Sequence, residues 1–144
     1  MSTVIKKSVL LKRLQESVSA AEYRQLMLDA IPHISKFNRQ TILELMTRTD
    51  APEGSVPSEK VDALRITLEN YLGIYLPDRK ESWKWILLPC LYLCFICDRP
   101  LHPQEVVHYT ETLENGNPIY RCPMREEGVR SVCRFCVCRS AASL

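Results

Sequence analysis

Cysteine is the residue type in this sequence best suited to chemistry, and all seven cysteines lie between positions 90 and 138. Four of them form two CxxC pairs, Cys94 with Cys97 and Cys133 with Cys136, with 35 residues between the pairs. A CxxC turn directs two thiolates at one point, and two such turns supply the closed tetrahedral set of a structural zinc site. The sequence therefore predicts one structural zinc ion held by these four residues.

The other three cysteines leave alternatives open. Cys138 follows Cys136 by two residues and could replace it as a ligand, although CxxC geometry makes it the weaker candidate. Cys90 stands in an apolar run and is expected to be a small core residue. Cys122 precedes Pro123 and is interpreted as a buried residue or a free thiol.

Two histidines are further candidates, and neither indicates catalysis. His102 and His108 could be ligands of a mixed site, the alternative being ordinary surface or packing histidines. Cys122 or Cys138 could form a pair of nucleophile and base with His108, but nothing in the sequence places these residues together. Because four thiolates leave zinc no position for water, we expect a protein that is not an enzyme.

Composition and cysteine usage indicate the kind of compartment and partner. An odd cysteine count and an N-terminal segment containing Lys6 and Lys7 do not fit a secreted disulfide framework, so we expect a reducing compartment. The net charge is +2, and from Asp98 onward six arginines face six acidic residues, so no basic patch for nucleic acid is visible. Residues 83–97 are nearly all apolar but too short to span a membrane, which predicts a buried element.

The N-terminal part reads as helices that would carry the cysteine-rich part. Ser19 and Glu22 form a capping-box pattern, and a third helix is predicted from Asn38 to Thr49. Residues 50–57 predict a loop, and the next helix is expected to end at Gly73. A further helix is predicted to carry residues 83–93 toward the first cysteine pair, with a break or kink near Pro89.

The residues after the first cysteine pair predict a smaller mixed unit. Pro103 is expected to open a short helix, residues 114–118 a hairpin-like turn, and residues 129–132 a short strand entering the second pair. The prediction is thus an α+β chain, with a helical domain of four to five helices over residues 1–80. A linker helix and a small zinc-binding α/β domain follow over residues 81–144.

The cysteine-rich third resembles the C-terminal zinc domain of the papillomavirus early protein six. The resemblance rests on about 50 of the 144 residues and on these positions: Cys94, Cys97, Pro100, Leu101, Glu105, His108, residues 128–130, Cys133 and Cys136. It implies a viral regulatory or transforming adaptor of the host nucleus and cytoplasm. Such an adaptor binds host proteins, through LxxLL-type helices and a ubiquitin ligase, to redirect transcription or degradation.

The sequence also departs from that family. The first 89 residues contain no cysteine, so a second zinc domain is missing, and Ala142 in the terminal AASL predicts no PDZ binding. The apolar residues near the first cysteine pair are candidates for the partner groove or for an internal core: Trp83, Trp85, Leu88, Leu91 and Tyr92.

Two other functions stay open at this point. A zinc-dependent nucleic-acid binder or transcription regulator would use a set of arginines in the C-terminal part: Arg121, Arg125, Arg130, Arg134 and Arg139. A death-fold-like helical interaction module with a zinc tail is the remaining alternative, which the size of the helical part permits.

Overall fold

The computed structural model describes residues 3–126 and 131–140. Within those residues the chain forms six α-helices and two small β-sheets, so the α+β class is confirmed. The helices are α1 (Lys7–Glu16), α2 (Ala20–Met27), α3 (Lys36–Thr47), α4 (Ser58–Tyr75), α5 (Lys84–Tyr92) and α6 (Gln104–Val107). The strands are β1 (Val4–Lys6), β2 (Ser55–Pro57), β3 (Thr110–Glu114), β4 (Asn117–Cys122) and β5 (Arg139–Ser140).

Polar side chains begin two of the helices. The capping box of α2 is confirmed: Glu22 N donates to Ser19 Oγ at 3.1 Å, and Ser19 N donates to Glu22 Oε1 at 2.9 Å. Ser35 caps α3 in the same way, accepting a hydrogen bond from Asn38 N at 3.1 Å. The third helix therefore begins at Lys36, two residues before the predicted Asn38.

The loop predicted over residues 50–57 is partly wrong. Strand β2 occupies its end and pairs antiparallel with β1, with Ile5 opposite Val56. Three residues are too few to show the alternation by which a strand is recognised, so neither strand was visible in the sequence.

The predicted helix end at Gly73 is also wrong, because α4 continues to Tyr75. A Cβ at Gly73 would lie 3.9 Å from the Trp83 ring, an ordinary packing distance. The indole N–H of Trp83 donates to the Leu76 carbonyl at 2.9 Å and so satisfies a group at the helix end. A tertiary contact, not glycine, sets this terminus.

The break expected near Pro89 occurs later. Helix α5 runs through Pro89, and the helical register changes only in a π-helical turn, Leu93–Cys97, which contains the first CxxC pair. Asp98 then takes a left-handed conformation with φ of 51° and ends the helix.

One apolar core joins the elements from α1 to Leu101. We call residues 3–101 the helical body. The core includes Leu45 of α3, Leu68 of α4 and Tyr92 of α5, so side chains on both sides of residue 80 pack together. The division into domains at that residue stays a prediction.

Residues 104–126 and 131–140 form what we call the C-terminal lobe, which residues 102 and 103 connect to the helical body. Strands β3 and β4 make an antiparallel hairpin whose turn residues, Asn115 and Gly116, both have positive φ, which confirms the predicted turn. Strand β5 runs parallel to β4, and α6 follows Pro103 as predicted. Of the strand predicted over residues 129–132, the first two residues lie outside the described ones, and Val132 instead begins a 3₁₀ turn, Val132–Phe135.

Candidate metal centre

The two CxxC segments lie against each other. The Cys94 thiol donates to the Phe135 carbonyl at 2.7 Å, a contact between residues 41 positions apart. Arg134, between the second pair of cysteines, donates to Thr67 Oγ1 of α4 at 3.2 Å. The fold thus docks the second CxxC segment on the helical body beside the first.

Local hydrogen bonds shape the second segment. Ser131 Oγ accepts from Cys133 N at 3.1 Å, and Cys136 N donates to the Cys133 carbonyl at 3.1 Å. These bonds turn the chain so that Cys133 and Cys136 border the same cavity. The local geometry agrees with the turn that a CxxC motif predicts.

Hydrogen-bond donors converge on the sulfur of Cys136. The Cys138 thiol donates to it, as do the backbone N–H groups of Cys138 and Leu101, and His102 adds favourable electrostatics. Because these donors stabilise a negative sulfur, they lower the pKa of Cys136 despite its burial. Of the predicted ligands, Cys136 has the clearest thiolate environment.

Cys94 is the buried member of the first pair. It is 9% exposed, and burial together with the charge of Cys136 raises its pKa to about 12. A thiol in such a place stays neutral unless a cation compensates the charge of the thiolate.

Cys97 has different neighbours from Cys94. Nη1 of Arg48, the residue that follows α3, lies 3.5 Å from the Cys97 sulfur and 3.2 Å from the Tyr92 hydroxyl. The Tyr92 hydroxyl and Arg99 Nη2 both donate to the same oxygen of Glu44, each at 2.5 Å. This network, unforeseen from the sequence, ties the first CxxC segment to α3.

The other thiols lie close to the pairs. Cys122 and Cys138 are buried with Val107, and Cys136 packs against them. A cavity of about 30 Å³, roughly the share of one water molecule, is bordered by four cysteines and a histidine: Cys122, Cys133, Cys136, Cys138 and His102. Cys90 lies one helical turn before Cys94 and borders a separate groove together with Cys133.

The candidate ligand side chains are not gathered around a common metal position in the described part of the chain. Within residues 3–126 and 131–140, no group of three or more His, Cys, Asp or Glu side chains is placed to hold a metal ion. The predicted set of Cys94, Cys97, Cys133 and Cys136 therefore stays a prediction.

His108 is exposed, with φ of 56° at the end of α6, whereas the suggested nucleophiles Cys122 and Cys138 are buried.

The residues suggested for a partner groove are mostly interior. Four of them are at most 6% exposed and belong to the core of the helical body: Trp85, Leu88, Leu91 and Tyr92.

Of the arginines considered for nucleic acid, Arg134 donates a hydrogen bond to Thr67 and Arg125 donates one to the Cys138 carbonyl, while Arg130 lies outside the described residues. Among the described residues, no helix has both the length and the apolar character needed to cross a bilayer.

The comparisons with known proteins point to archaea. The model of the family DUF2115, described as an uncharacterized protein conserved in archaea, matches residues 6–141. The UPF0305 protein MJ0646 of Methanocaldococcus jannaschii is 27% identical over 115 residues, covering 76% of this chain and 70% of that protein. No solved structure matches.

These matches overturn the resemblance to the papillomavirus early protein six. The family model covers the helical body as well as the cysteines, whereas the resemblance covered about 50 residues, and the metal spacing within it recurs in unrelated proteins. The viral or transforming adaptor function, the host-protein and ubiquitin-ligase partners, and the host nucleus and cytoplasm as location are therefore wrong. The nucleic-acid-binding and death-fold-like alternatives gain no support from either match, and the PDZ prediction falls on residues 141–144, outside the described ones. The chain belongs to the DUF2115 family of proteins conserved in archaea.

Proposed function

We propose that this chain is a zinc-binding protein in which thiolates of the two CxxC segments hold one structural ion. The predicted ligand set is Cys94, Cys97, Cys133 and Cys136. The ion's role would be to fasten the C-terminal lobe to the helical body.

The contact between Cys94 and Phe135 carries this proposal. It brings together two CxxC segments that are 41 residues apart, and it involves one member of the first pair and the residue next to Cys136. Sulfur-rich donor sets favour zinc among the common divalent ions. Since no three ligands are assembled among the residues that the structure describes, binding has to include rotation of cysteine side chains toward the ion.

The hydrogen bonds to Cys136 support the same proposal. A sulfur that accepts from two backbone N–H groups and a thiol is favoured as a thiolate, the form in which cysteine binds metal. Such outer donors orient a ligand and offset its charge.

The small core of the C-terminal lobe gives the ion a physical role. Its buried cluster has three members among the described residues, Val107, Cys122 and Cys138. Units below about 40 residues usually need a metal, a disulfide or a partner to fold stably. With four thiolates around it, the ion has no open position for water, so we also propose that the protein is not an enzyme.

Zinc analysis of the native protein tests the proposal. We expect one zinc per chain by native mass spectrometry, loss of zinc in Cys133→Ser and Cys136→Ser, and retention in Cys122→Ser, a matched control at a buried cysteine outside both pairs. Circular dichroism would show whether each variant keeps its helices. Protein purified without chelators that contains no zinc would refute the proposal. Zinc lost in Cys138→Ser but kept in Cys136→Ser would overturn the ligand assignment.

A further inference from the structure

The inference concerns two neighbouring cysteines of the lobe, Cys136 and Cys138, and it rests on the proposed zinc binding. Cys136 packs against the buried cluster that contains Cys138, and both residues border the cavity of about 30 Å³. The Cys138 thiol donates its hydrogen bond to the Cys136 sulfur. The two sulfurs are therefore neighbours, although only Cys136 belongs to the predicted ligand set.

The backbone allows a bond between these two sulfurs. Two residues of chain span at most about 7 Å, and the chain bends at Cys136 and Val137, so it is not fully extended there. A disulfide usually joins Cα atoms that are about 4.4–6.8 Å apart. Formation of the bond thus needs local rotation of two side chains and not the movement of distant segments.

The two residues differ in their access to solvent. Cys136 is half-buried, whereas Cys138 is 3% exposed, so a dissolved oxidant reaches Cys136 first. In the zinc-bound protein Cys133 would be occupied by the ion, whereas Cys138 keeps its thiol and is able to attack an oxidised neighbour. Cys122, the other buried thiol of this cluster, lies opposite Ser140 in the pairing of β4 with β5, and not opposite Cys138. Cys138 is therefore the thiol best placed to react with Cys136.

We propose that Cys136 and Cys138 form a peroxide-sensitive dithiol, whose oxidation to a disulfide removes one ligand of the proposed site and releases the zinc ion. The Cys136 thiolate attacks one oxygen of the peroxide, the O–O bond breaks, and hydroxide leaves, which converts Cys136 to a sulfenic acid. The Cys138 sulfur then attacks the Cys136 sulfur, the S–S bond forms, and the Cys138 proton departs with the sulfenic hydroxyl as water. The two sulfurs together lose two electrons, which reduce the peroxide, and zinc stays divalent.

The consequence for the molecule is a lobe without its proposed fastening. With Cys136 in a disulfide, three of the predicted ligands remain, Cys94, Cys97 and Cys133. A disulfide sulfur is not a thiolate, the form in which cysteine binds metal, and three thiolates do not close the tetrahedral set of a structural site. A reductant that restores both thiols would restore the site.

Trypsin provides a direct readout, because Arg134 and Arg139 flank the pair. Cleavage after both arginines releases residues 135–139, which contain Cys136 and Cys138 and no other cysteine. After treatment of the zinc-loaded protein with hydrogen peroxide, we expect this peptide to be lighter by two hydrogens. We also expect one zinc per chain to pass to a chromophoric chelator. Dithiothreitol followed by added zinc should reverse both changes.

Two serine variants test the role of Cys138. Cys138→Ser keeps a hydroxyl that can donate to the Cys136 sulfur but cannot form the disulfide. We expect the sulfenic acid at Cys136 to persist in this variant, so that dimedone labels its residues 135–139 and not those of the wild type. The matched control is Cys122→Ser, whose oxidised peptide should be as light as that of the wild type. Equal labelling of the wild type and Cys138→Ser would overturn the inference.

The outcomes separate this inference from the proposed function. Native protein without zinc would refute the proposed function itself. If zinc is present, a peroxide-treated peptide 135–139 of unchanged mass, or one linked to residues 131–134 through Cys133, would overturn the inference and leave zinc binding intact. Zinc retained after the Cys136–Cys138 disulfide has formed would overturn it as well, because Cys136 would then not be a ligand. The peptide map of the wild type decides even if Cys138→Ser does not fold.

Discussion

The helical body and the C-terminal lobe differ in the interactions that stabilise each of them. Eighteen buried side chains form the core of the helical body, against three in the described part of the lobe. All five residues of β3 are exposed. The helical body can therefore be stabilised by burial of apolar surface, whereas the lobe has few buried side chains of its own and contains four of the seven cysteines.

Removal of the metal should destabilise the lobe and leave the helical body folded, which is the largest difference expected between the two regions. With zinc chelated, we expect amides of β3 and β4 to lose protection by orders of magnitude in hydrogen exchange, while those of α3 keep theirs. The physical reason is that the lobe loses its proposed fastening and the helical body does not. Mass-resolved hydrogen exchange before chelation, after it, and after zinc is restored would measure the effect.

Uniform loss of protection across both regions would contradict the distinction, because it would mean that the ion supports the helical body as well. Unchanged protection of the hairpin would show that contacts such as Arg134 to Thr67 suffice to hold the lobe.

Truncation of a core side chain should destabilise the helical body far more than truncation of an exposed side chain destabilises the lobe. Leu45 of α3 has no exposed surface, so Leu45→Ala removes buried methyl groups and leaves a cavity. We expect the free energy of unfolding to fall by about 2–5 kcal/mol in urea titrations. The matched control in the lobe is Leu113→Ala, whose side chain is 75% exposed and whose loss should change stability by less than about 0.5 kcal/mol. Equal effects at the two positions would mean that the lobe has a core contributed by something other than its described residues.

The two regions also differed in how far the sequence predicted them. The capping box at Ser19 and the hairpin turn at Asn115 and Gly116 rest on interactions within a few residues, and both were predicted. The end of α4 was not, since it depends on the Trp83 indole reaching Leu76, and neither was the β1–β2 pairing, which joins residues about 50 positions apart in the chain. For the candidate site, spacing identified the cysteine pairs. It could not reveal that Arg48, which follows α3 and lies 49 residues earlier in the chain, donates to the Cys97 sulfur.

A smaller effect is expected at the ion pair that joins α2 to α5 within the helical body. Lys84 Nζ lies 2.8 Å from Glu22 Oε2, and this hydrogen bond, together with the Ser19 backbone N–H, lowers the pKa of Glu22 below its ordinary value of 4.5. A carboxyl group whose pKa is lower in the folded state stabilises the fold above the unfolded value, and this contribution is lost as the pH falls through the folded value. The pair is about one-third exposed, so its contribution should stay below about 1 kcal/mol.

The pH dependence of this pair is best read as a difference between variants, because acid also displaces zinc from thiolates. Glu22→Gln keeps an oxygen for the Ser19 N–H but loses the charge that faces Lys84. The wild type should therefore exceed Glu22→Gln in unfolding free energy at pH 6, and the gap should narrow as the pH falls below the ordinary pKa of 4.5. Glu69→Gln, at the more exposed Arg65–Glu69 pair of α4, is the matched control and should show a smaller gap. A gap at Glu22 that does not narrow as the pH falls below 4.5 would mean that packing of the side chain, and not its charge, joins α2 to α5.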